Sequence, residues 1–232
     1  MSDTKSNTNI KQNKLDFSKA PNVFLFAANI MDYLRVAFVI YAFYYSRTHP
    51  ILFLIFYFVS FVLDMFDGMA ARALDQKSKY GATLDMVIDR ISTSGLLMVL
   101  SNFYPDHFHI FVFLMMLDIG SHWLQTHSGF MDPNIKNDNH KSLEEAFWIL
   151  NFYYKNRLGL GITCLGAEVF LLLLYYLNFD KSLLNVNWFV YSLYINGAIY
   201  VLKQFISIIQ TISASQRIVK FDQKEYLENK NL

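Results

Sequence analysis

Residues 64–90 read DMFDGMAARALDQKSKYGATLDMVIDR, and four aspartates of this stretch lie next to strongly apolar sequence. The run ILFLIFYFVSFVL precedes the stretch, and the run LLMVL follows it shortly afterwards. Runs of this kind are typical of helices that cross a membrane, where a carboxylate is costly and usually has a function. The four carboxylates, Asp64, Asp67, Asp85 and Asp89, are therefore the first candidates for a functional site.

The composition of the whole chain is that of a membrane protein. Of the 232 residues 54% are hydrophobic, with 22 Phe and 15 Tyr, which is more apolar surface than one soluble core can bury. The formal net charge is +1, and Lys and Arg are scattered between apolar runs, so nucleic acid is not an expected partner. Cys164 is the one cysteine, so the chain forms no internal disulfide bond.

Six apolar segments are long enough, or nearly so, to cross a bilayer as helices of about 20 residues. The predicted spans are 23–45, 51–71, 82–104, 107–125, 158–177 and 187–214. We therefore expect an all-α integral membrane protein with six transmembrane helices. Residues 21–215 would form this membrane domain, between a disordered tail at 1–20 and a second tail at 216–232. Residues 128–156 are expected to lie at the membrane surface and to include a short amphipathic helix.

The distribution of Lys and Arg predicts the orientation of these spans. The loops on one side carry only Arg47 and Lys181, and three further cations, Arg35, Arg90 and Lys203, lie within spans. All the others of the 20 Lys and Arg residues fall on the opposite side, in both tails and in the loops after the second and fourth spans. Because cytoplasmic loops accumulate these residues, we expect both termini and the loop that joins the Asp pairs to be cytosolic.

The spacing of the four carboxylates places each pair on one helix face. Asp64 and Asp67 are three residues apart, and Asp85 and Asp89 are four apart. The short loop between the second and third spans predicts that these helices are antiparallel neighbours, so that the four carboxylates converge near the membrane surface. Such convergence is costly unless a cation lies among the charges. Oxygen ligands favour Mg²⁺ or Mn²⁺ over Zn²⁺, and two ions about 3.5 to 4 Å apart would suit attack on phosphorus.

The remaining polar groups inside the spans have simpler expected roles. Arg35, Arg90 and Lys203 should form ion pairs with nearby carboxylates, for example those of Asp32 and Asp118. His122 and Glu168 are expected to be interior side chains held by hydrogen bonds rather than parts of the chemistry.

The pattern D-x2-D-G-x2-A-R-x8-G-x3-D-x3-D, which spans residues 64–89, resembles the complete signature of the CDP-alcohol phosphotransferases. The resemblance covers most of the chain, from Asn22 to about Arg217. The segments YGATLDMVIDR and DIGSHWLQTHS are similar to those of family members that use inositol as the acceptor.

This resemblance implies a fold, a reaction and a set of site residues. The fold would have six helices, form a homodimer and open a cavity to the cytosolic leaflet of the endoplasmic reticulum membrane. The reaction would transfer the phosphatidyl group of CDP-diacylglycerol to myo-inositol. Asp64, Asp67, Asp85 and Asp89 match the metal ligands, and Asp89 also matches the general base. The positions expected to contact the CDP part of the substrate are Asn29, Gly68, Arg72, Ser78 and Gly81; the two glycines would let the ligand approach the helix backbones.

The acceptor site is less clear from the sequence. Lys155 and Arg157 are polar groups that could meet inositol hydroxyls, although Arg157 could equally extend toward lipid headgroups. An acceptor such as glycerol 3-phosphate, serine or an aminoalcohol stays open, although a phosphorylated acceptor would need more cations than these two. A divalent-cation transporter is a more distant alternative, because no acidic cluster continues the path through the later spans.

Overall fold

The computed structural model describes residues 20–131 and 157–230, and every regular element in this part of the chain is helical. The α-helices are α1 (Ala27–Tyr45), α2 (Pro50–Ala73), α3 (Lys79–Phe103), α4 (Phe108–Met131), α5 (Arg157–Leu177) and α6 (Asn187–Lys230). Short 3-10 turns precede three of them, at Val23–Leu25, Pro105–His107 and Lys181–Asn185. The all-α fold class is confirmed. Most of the predicted surface segment 128–156 lies outside the described residues, and its first four residues belong to α4.

Four of the described helices are long and apolar enough to cross a membrane. They are α2, α4 with its preceding turn, α5 and α6. The other two, α1 and α3, carry the charged side chains of the acidic site, which lowers their hydropathy. The structure thus confirms an integral membrane protein, while a count of six spans stays a prediction.

The six helices pack around α3. This helix contacts α1, α4 and α5, and α6 completes the bundle by packing against α4 and α5. The most extensive pair is formed by α1 and α2. A helix that contacts three others can bring polar groups from different parts of the chain to one place, which is what the acidic site requires.

The structure brings the Asp-bearing ends of α2 and α3 together, as the short loop between them predicts, but without close backbone packing. The main packing partner of α2 is α1, which also packs against α3. The carboxylates of the two helix ends would repel one another without a cation between them. Arg35 of α1 bridges them, because its guanidinium contacts Asp64 of α2 and Asp89 of α3.

The apolar core occupies the half of the bundle away from the acidic stretch. Phe53 of α2 and Tyr175 of α5 are fully buried there, with ring centroids 4.1 Å apart. The hydroxyl of Tyr175 donates a hydrogen bond of 2.7 Å to the backbone oxygen of Ser46, at the end of α1. Leu96 and Leu100 of α3 belong to the same cluster. This core joins α1, α2, α3 and α5 at one end and leaves the polar groups at the other.

The last helix differs from the predicted sixth span. The predicted span ends at residue 214, but α6 continues to Lys230. The added sequence, SQRIVKFDQKEYLENK, contains no Gly or Pro and is rich in residues that favour helices. Hydropathy marks where a helix leaves the membrane, and nothing in this sequence requires the helix to stop there.

Candidate active site

The guanidinium of Arg35 lies at the centre of the acidic site. The side chain is only 3% exposed, and it contacts carboxylates from three helices. Nη1 lies 3.0 Å from Asp32, 2.9 Å from Asp67 and 2.8 Å from Asp85, and Nη2 lies 2.5 Å from Asp64 and 2.6 Å from Asp89. We call these five carboxylates the acidic cluster. The four aspartates predicted to converge do so.

Two members of this arrangement were missed by sequence reasoning. Asp32 was expected only to pair with Arg35, yet it is a fifth member of the acidic cluster and is 2% exposed. Arg35 was expected to pair with nearby carboxylates such as Asp32, and it contacts five carboxylates. Their spacing of three residues on α1 was the available signal, since it puts both side chains on one helix face.

The acidic cluster has the ligands that a hard divalent cation requires. Two sets of carboxylate oxygens lie within 4.8 Å of one another, Asp32 with Asp67 and Asp85, and Asp64 with Asp85 and Asp89. Asp85 belongs to both sets. One guanidinium cannot neutralise five carboxylates, so the cluster has an excess of negative charge that favours bound cations. A donor set made only of carboxylate oxygens fits Mg²⁺ or Mn²⁺.

A cavity of about 350 Å³ opens on one side of the acidic cluster, and we call it the outer cavity. It is lined by all five residues predicted to contact the CDP part of a substrate, namely Asn29, Gly68, Arg72, Ser78 and Gly81. Asp32, Asp67 and Asp85 form its border with the cluster. The structure therefore brings these sequence-predicted positions together beside the carboxylates.

The first turn of α3 shows how local sequence builds the outer cavity. The Ser78 side chain caps the helix, because its Oγ accepts a 2.9 Å hydrogen bond from the backbone N–H of Gly81. Asn29 is 1% exposed, and its Nδ2 donates a 2.6 Å hydrogen bond to the backbone oxygen of Val23. A Cβ on Gly81 would lie 2.7 Å from Asn29 Oδ1. Gly81 thus makes room for Asn29, a contact that the sequence did not indicate.

A second cavity, of about 90 Å³, lies toward the apolar core, and we call it the inner cavity. Asp64 and Asp89 line it together with Arg35, Glu168 and Lys203. The acidic cluster therefore separates two cavities, with Asp67 and Asp85 facing the outer one and Asp64 and Asp89 facing the inner one.

The other predicted interior contacts are confirmed in part. Arg90 pairs with Asp118 at 2.7 Å, as expected. Glu168 accepts hydrogen bonds from the hydroxyls of Tyr57, at 3.0 Å, and Thr93, at 2.8 Å. These bonds agree with a packing function but also fix one wall of the inner cavity.

His122 and Lys203 are two further interior residues whose contacts were predicted from the sequence. His122 is partly buried, and its Nδ1 lies 3.3 Å from Nη1 of Arg90 and 2.8 Å from the backbone oxygen of Asp118. Lys203 was expected to form an ion pair, and that expectation is wrong: within the residues described, its amino group contacts no carboxylate at ion-pair distance. The carboxylates that line the inner cavity with it have other partners: Asp64 and Asp89 contact Arg35, and Glu168 accepts hydrogen bonds from two hydroxyls.

The predicted acceptor contacts of Lys155 and Arg157 involve side chains outside those that the structure describes. Arg157 is the first residue of α5, and Lys155 lies outside the described residues.

Comparison with known proteins agrees with this geometry. Residues 25–142 match the family model for CDP-alcohol phosphatidyltransferases. The chain belongs to this family. Enzymes of the CDP-alcohol phosphatidyltransferase family are metal-dependent in general, and the acidic cluster is the place where this member could bind a metal.

Three relatives that match nearly the whole chain share one name. The chain is 37% identical over 212 residues to the CDP-diacylglycerol--inositol 3-phosphatidyltransferase of Rattus norvegicus, covering 90% of this chain and 98% of that protein. The Homo sapiens protein of the same name gives the same values. The protein of that name from Schizosaccharomyces pombe is 35% identical over 233 residues, with 92% and 97% covered. No solved structure gives a significant match.

Asp85 belongs to both carboxylate sets, and its replacement therefore tests metal binding. Replacing Asp85 with Asn removes a ligand from both carboxylate sets, so we expect Mn²⁺ to bind at least about tenfold more weakly, since even a residue behind a metal ligand contributes about 10- to 100-fold. Titration calorimetry on the purified protein in detergent measures this affinity.

Asp75→Asn is the matched control. Asp75 is exposed in the loop between α2 and α3 and has a positive φ of 53°, a conformation that Asn tolerates. The control should bind Mn²⁺ like the wild type. Equal affinities of the Asp85→Asn protein and the wild type would show that the acidic cluster is not the metal site.

Proposed function

We propose that this protein transfers the phosphatidyl group of CDP-diacylglycerol to myo-inositol, with phosphatidylinositol and CMP as products. The observation that carries the proposal is the position of the acidic cluster between two cavities of different size. A transferase with two substrates needs such a place, where a group leaves one ligand and joins another. The relatives named above carry this activity in their names and cover nearly all of the chain.

The outer cavity would hold the CDP part of CDP-diacylglycerol. Asn29, Ser78 and the guanidinium of Arg72 offer hydrogen bonds to a nucleotide and its phosphates. Gly68 keeps its helix face open next to Arg72, because a Cβ there would lie 3.2 Å from Nη1 of that arginine. The diphosphate would then lie beside Asp67 and Asp85, at the edge of the cluster.

Four residues of the cluster, Asp64, Asp67, Asp85 and Asp89, would hold Mg²⁺ or Mn²⁺. The membership of Asp85 in both carboxylate sets supports two ions. When bound, such ions neutralise the charge of a diphosphate and of the departing CMP. Arg35 would keep the carboxylates in position between α2 and α3, because it contacts every one of them.

Asp89 would act as the general base. It faces the inner cavity, and its Oδ1 accepts a 2.6 Å hydrogen bond from Arg35. Its carboxylate would take the proton of an inositol hydroxyl, whose oxygen attacks the phosphorus that carries diacylglycerol. The bond from this phosphorus to the CMP oxygen breaks, and CMP leaves. A carboxylate held by a guanidinium is a weak base, so correct placement of the hydroxyl must supply much of the rate.

The membrane arrangement follows from the same charges. All six helices would cross the bilayer, since the charged residues of α1 and α3 are held in ion pairs inside the bundle. Both termini and the outer cavity would face the cytosol, in the endoplasmic reticulum membrane, and two copies would form a homodimer. Arg157 and Lys155 remain candidates for contacts to the acceptor from the cytosolic side.

The acceptor assay tests the proposal directly. Purified protein is incubated with CDP-diacylglycerol, a divalent cation and one labelled acceptor at a time: myo-inositol, glycerol 3-phosphate, serine or ethanolamine. We expect labelled lipid from inositol alone, with release of an equal amount of CMP. Lipid formed from another acceptor and not from inositol would overturn the acceptor, and no lipid from any acceptor would overturn the activity.

Replacing Asp89 with Asn should abolish turnover. The amide keeps the size of the side chain and cannot accept the proton, so we expect kcat to fall by at least about 100-fold, the low end of general-base effects. Asp106→Asn, at an exposed position before α4, is the control. Unchanged turnover of the Asp89→Asn protein would contradict the assignment.

Replacing Gly81 with Ala should weaken binding of CDP-diacylglycerol. The added methyl group must displace the buried side chain of Asn29, and overpacking of this kind costs roughly 1–3 kcal/mol. We expect the KM for CDP-diacylglycerol to rise about tenfold and the KM for inositol to change little. Gly120→Ala serves as the control, because a Cβ at Gly120 meets nothing within 4 Å. Equal KM values for both variants would remove Asn29 from the nucleotide site.

A further inference from the structure

Lys203 is a largely buried cation whose amino group has no hydrogen-bond or ion-pair partner among the residues that the structure describes. It lies on α6, is 7% exposed and lines the inner cavity. Burying an unpaired charge costs several kcal/mol, and inside a membrane protein such a residue usually has a function. The proposed reaction gives Lys203 no function.

The carboxylates of the inner cavity stand apart from Lys203. Asp64, Asp89 and Glu168 line the same cavity, and none lies within 4.0 Å of the Lys203 amino group. Asp64 and Asp89 contact Arg35, and Glu168 accepts from two hydroxyls. A small polar molecule placed between these walls could therefore meet a cation on one side and carboxylates on the other.

The hydroxyls of the inner cavity have their own protons already engaged. Ser92 donates to the backbone oxygen of Ile88 at 2.9 Å, and Thr93 donates to Glu168 at 2.8 Å. Each hydroxyl oxygen keeps a lone pair that can accept a further hydrogen bond. Lys203 supplies N–H donors. A polyol matches this wall, because every one of its hydroxyl groups both donates and accepts.

Charge argues for a neutral ligand. Three cationic and three anionic side chains line the inner cavity: Arg35, Arg90, Lys203, Asp64, Asp89 and Glu168. Arg35 and Arg90 already contact carboxylates, whereas within the described residues the amino group of Lys203 contacts none. A phosphate group would bring negative charge next to three carboxylates with one cation to balance it, which is unfavourable. The cavity volume of about 90 Å³, against roughly 300–1,000 Å³ for drug-sized ligands, also calls for a small molecule.

We propose that the inner cavity is the acceptor site, and that Lys203 and Glu168 bind hydroxyl groups of a neutral cyclic polyol there. The reacting hydroxyl then faces Asp89, which lines the same cavity, and the donor phosphate lies across the acidic cluster in the outer cavity. Lys203 and Glu168 are binding residues that decide acceptor specificity. This inference rests on the proposed function and gives it a place for inositol different from Lys155 and Arg157.

Replacing Lys203 with Met tests the inference. Met keeps the length of the side chain and removes the N–H donors, and a hydrogen bond from a charged group contributes enough that the KM for myo-inositol should rise at least about tenfold. Glu168→Gln should act in the same direction. The KM for CDP-diacylglycerol should stay within about twofold, because neither residue lines the outer cavity. Lys220→Met, at an exposed position on the same helix, should match the wild type.

The outcomes separate this inference from the proposed function. An unchanged KM for inositol in the Lys203→Met protein, with a wild type that makes phosphatidylinositol, overturns the acceptor site and leaves the activity standing. A wild type that makes no lipid from inositol overturns the activity itself. A rise in both KM values together with a lower melting temperature would make Lys203 a structural residue only, and would also overturn the inference.

Cys164 provides a second measurement on the unaltered protein. It lines the inner cavity, is partly exposed and is the one cysteine of the chain, so a small neutral thiol reagent modifies a single site. We expect saturating myo-inositol to slow this modification, measured as the mass shift of the intact protein, and glycerol 3-phosphate to leave the rate unchanged. A rate that inositol does not alter, or that glycerol 3-phosphate slows more, would overturn the inference.

Discussion

The contact of one guanidinium with five carboxylates is the interaction on which the rest of the structure depends. Arg35 comes from α1, and the carboxylates come from α1, α2 and α3. Without a cation at this place the helix ends would repel one another, because several like charges in a poorly solvated site cost several kcal/mol. Arg35 therefore allows three helices to meet at an acidic site. It also leaves enough negative charge uncompensated to attract divalent cations.

The two halves of the bundle are held together by different interactions. In one half, aromatic and aliphatic side chains such as Phe53, Tyr175 and Leu100 join the helices mainly through apolar contacts. In the other half, the helices are held by ion pairs, and cavities lie on both sides of the acidic cluster. Tight packing of the apolar half holds the side chains of the polar half in fixed positions. A site that aligns two substrates requires such fixed positions.

The sequence predicted local features well and neighbours less well. The carboxylates converge as their spacing predicts, and Arg90 pairs with Asp118. The short loop indicated that the Asp pairs of α2 and α3 meet, but chain order does not reveal that α1 lies against both helices. Lys203 was expected to have an ionic partner, but a helix pattern cannot show that Asp64 and Asp89, which line the same cavity, are already engaged by Arg35.

The sequence by itself determined the fold class, the faces on which Asp64, Asp67, Asp85 and Asp89 lie, and the family to which the chain belongs. Helix periodicity and hydropathy act over a few residues, so they can be read without knowing the fold. Only the tertiary structure decided that Asp32 joins the acidic cluster, that Gly81 makes room for Asn29, and that Lys203 and Asp89 line the same cavity. These relations join residues far apart in the chain, and they depend on which helices pack together and at what distance.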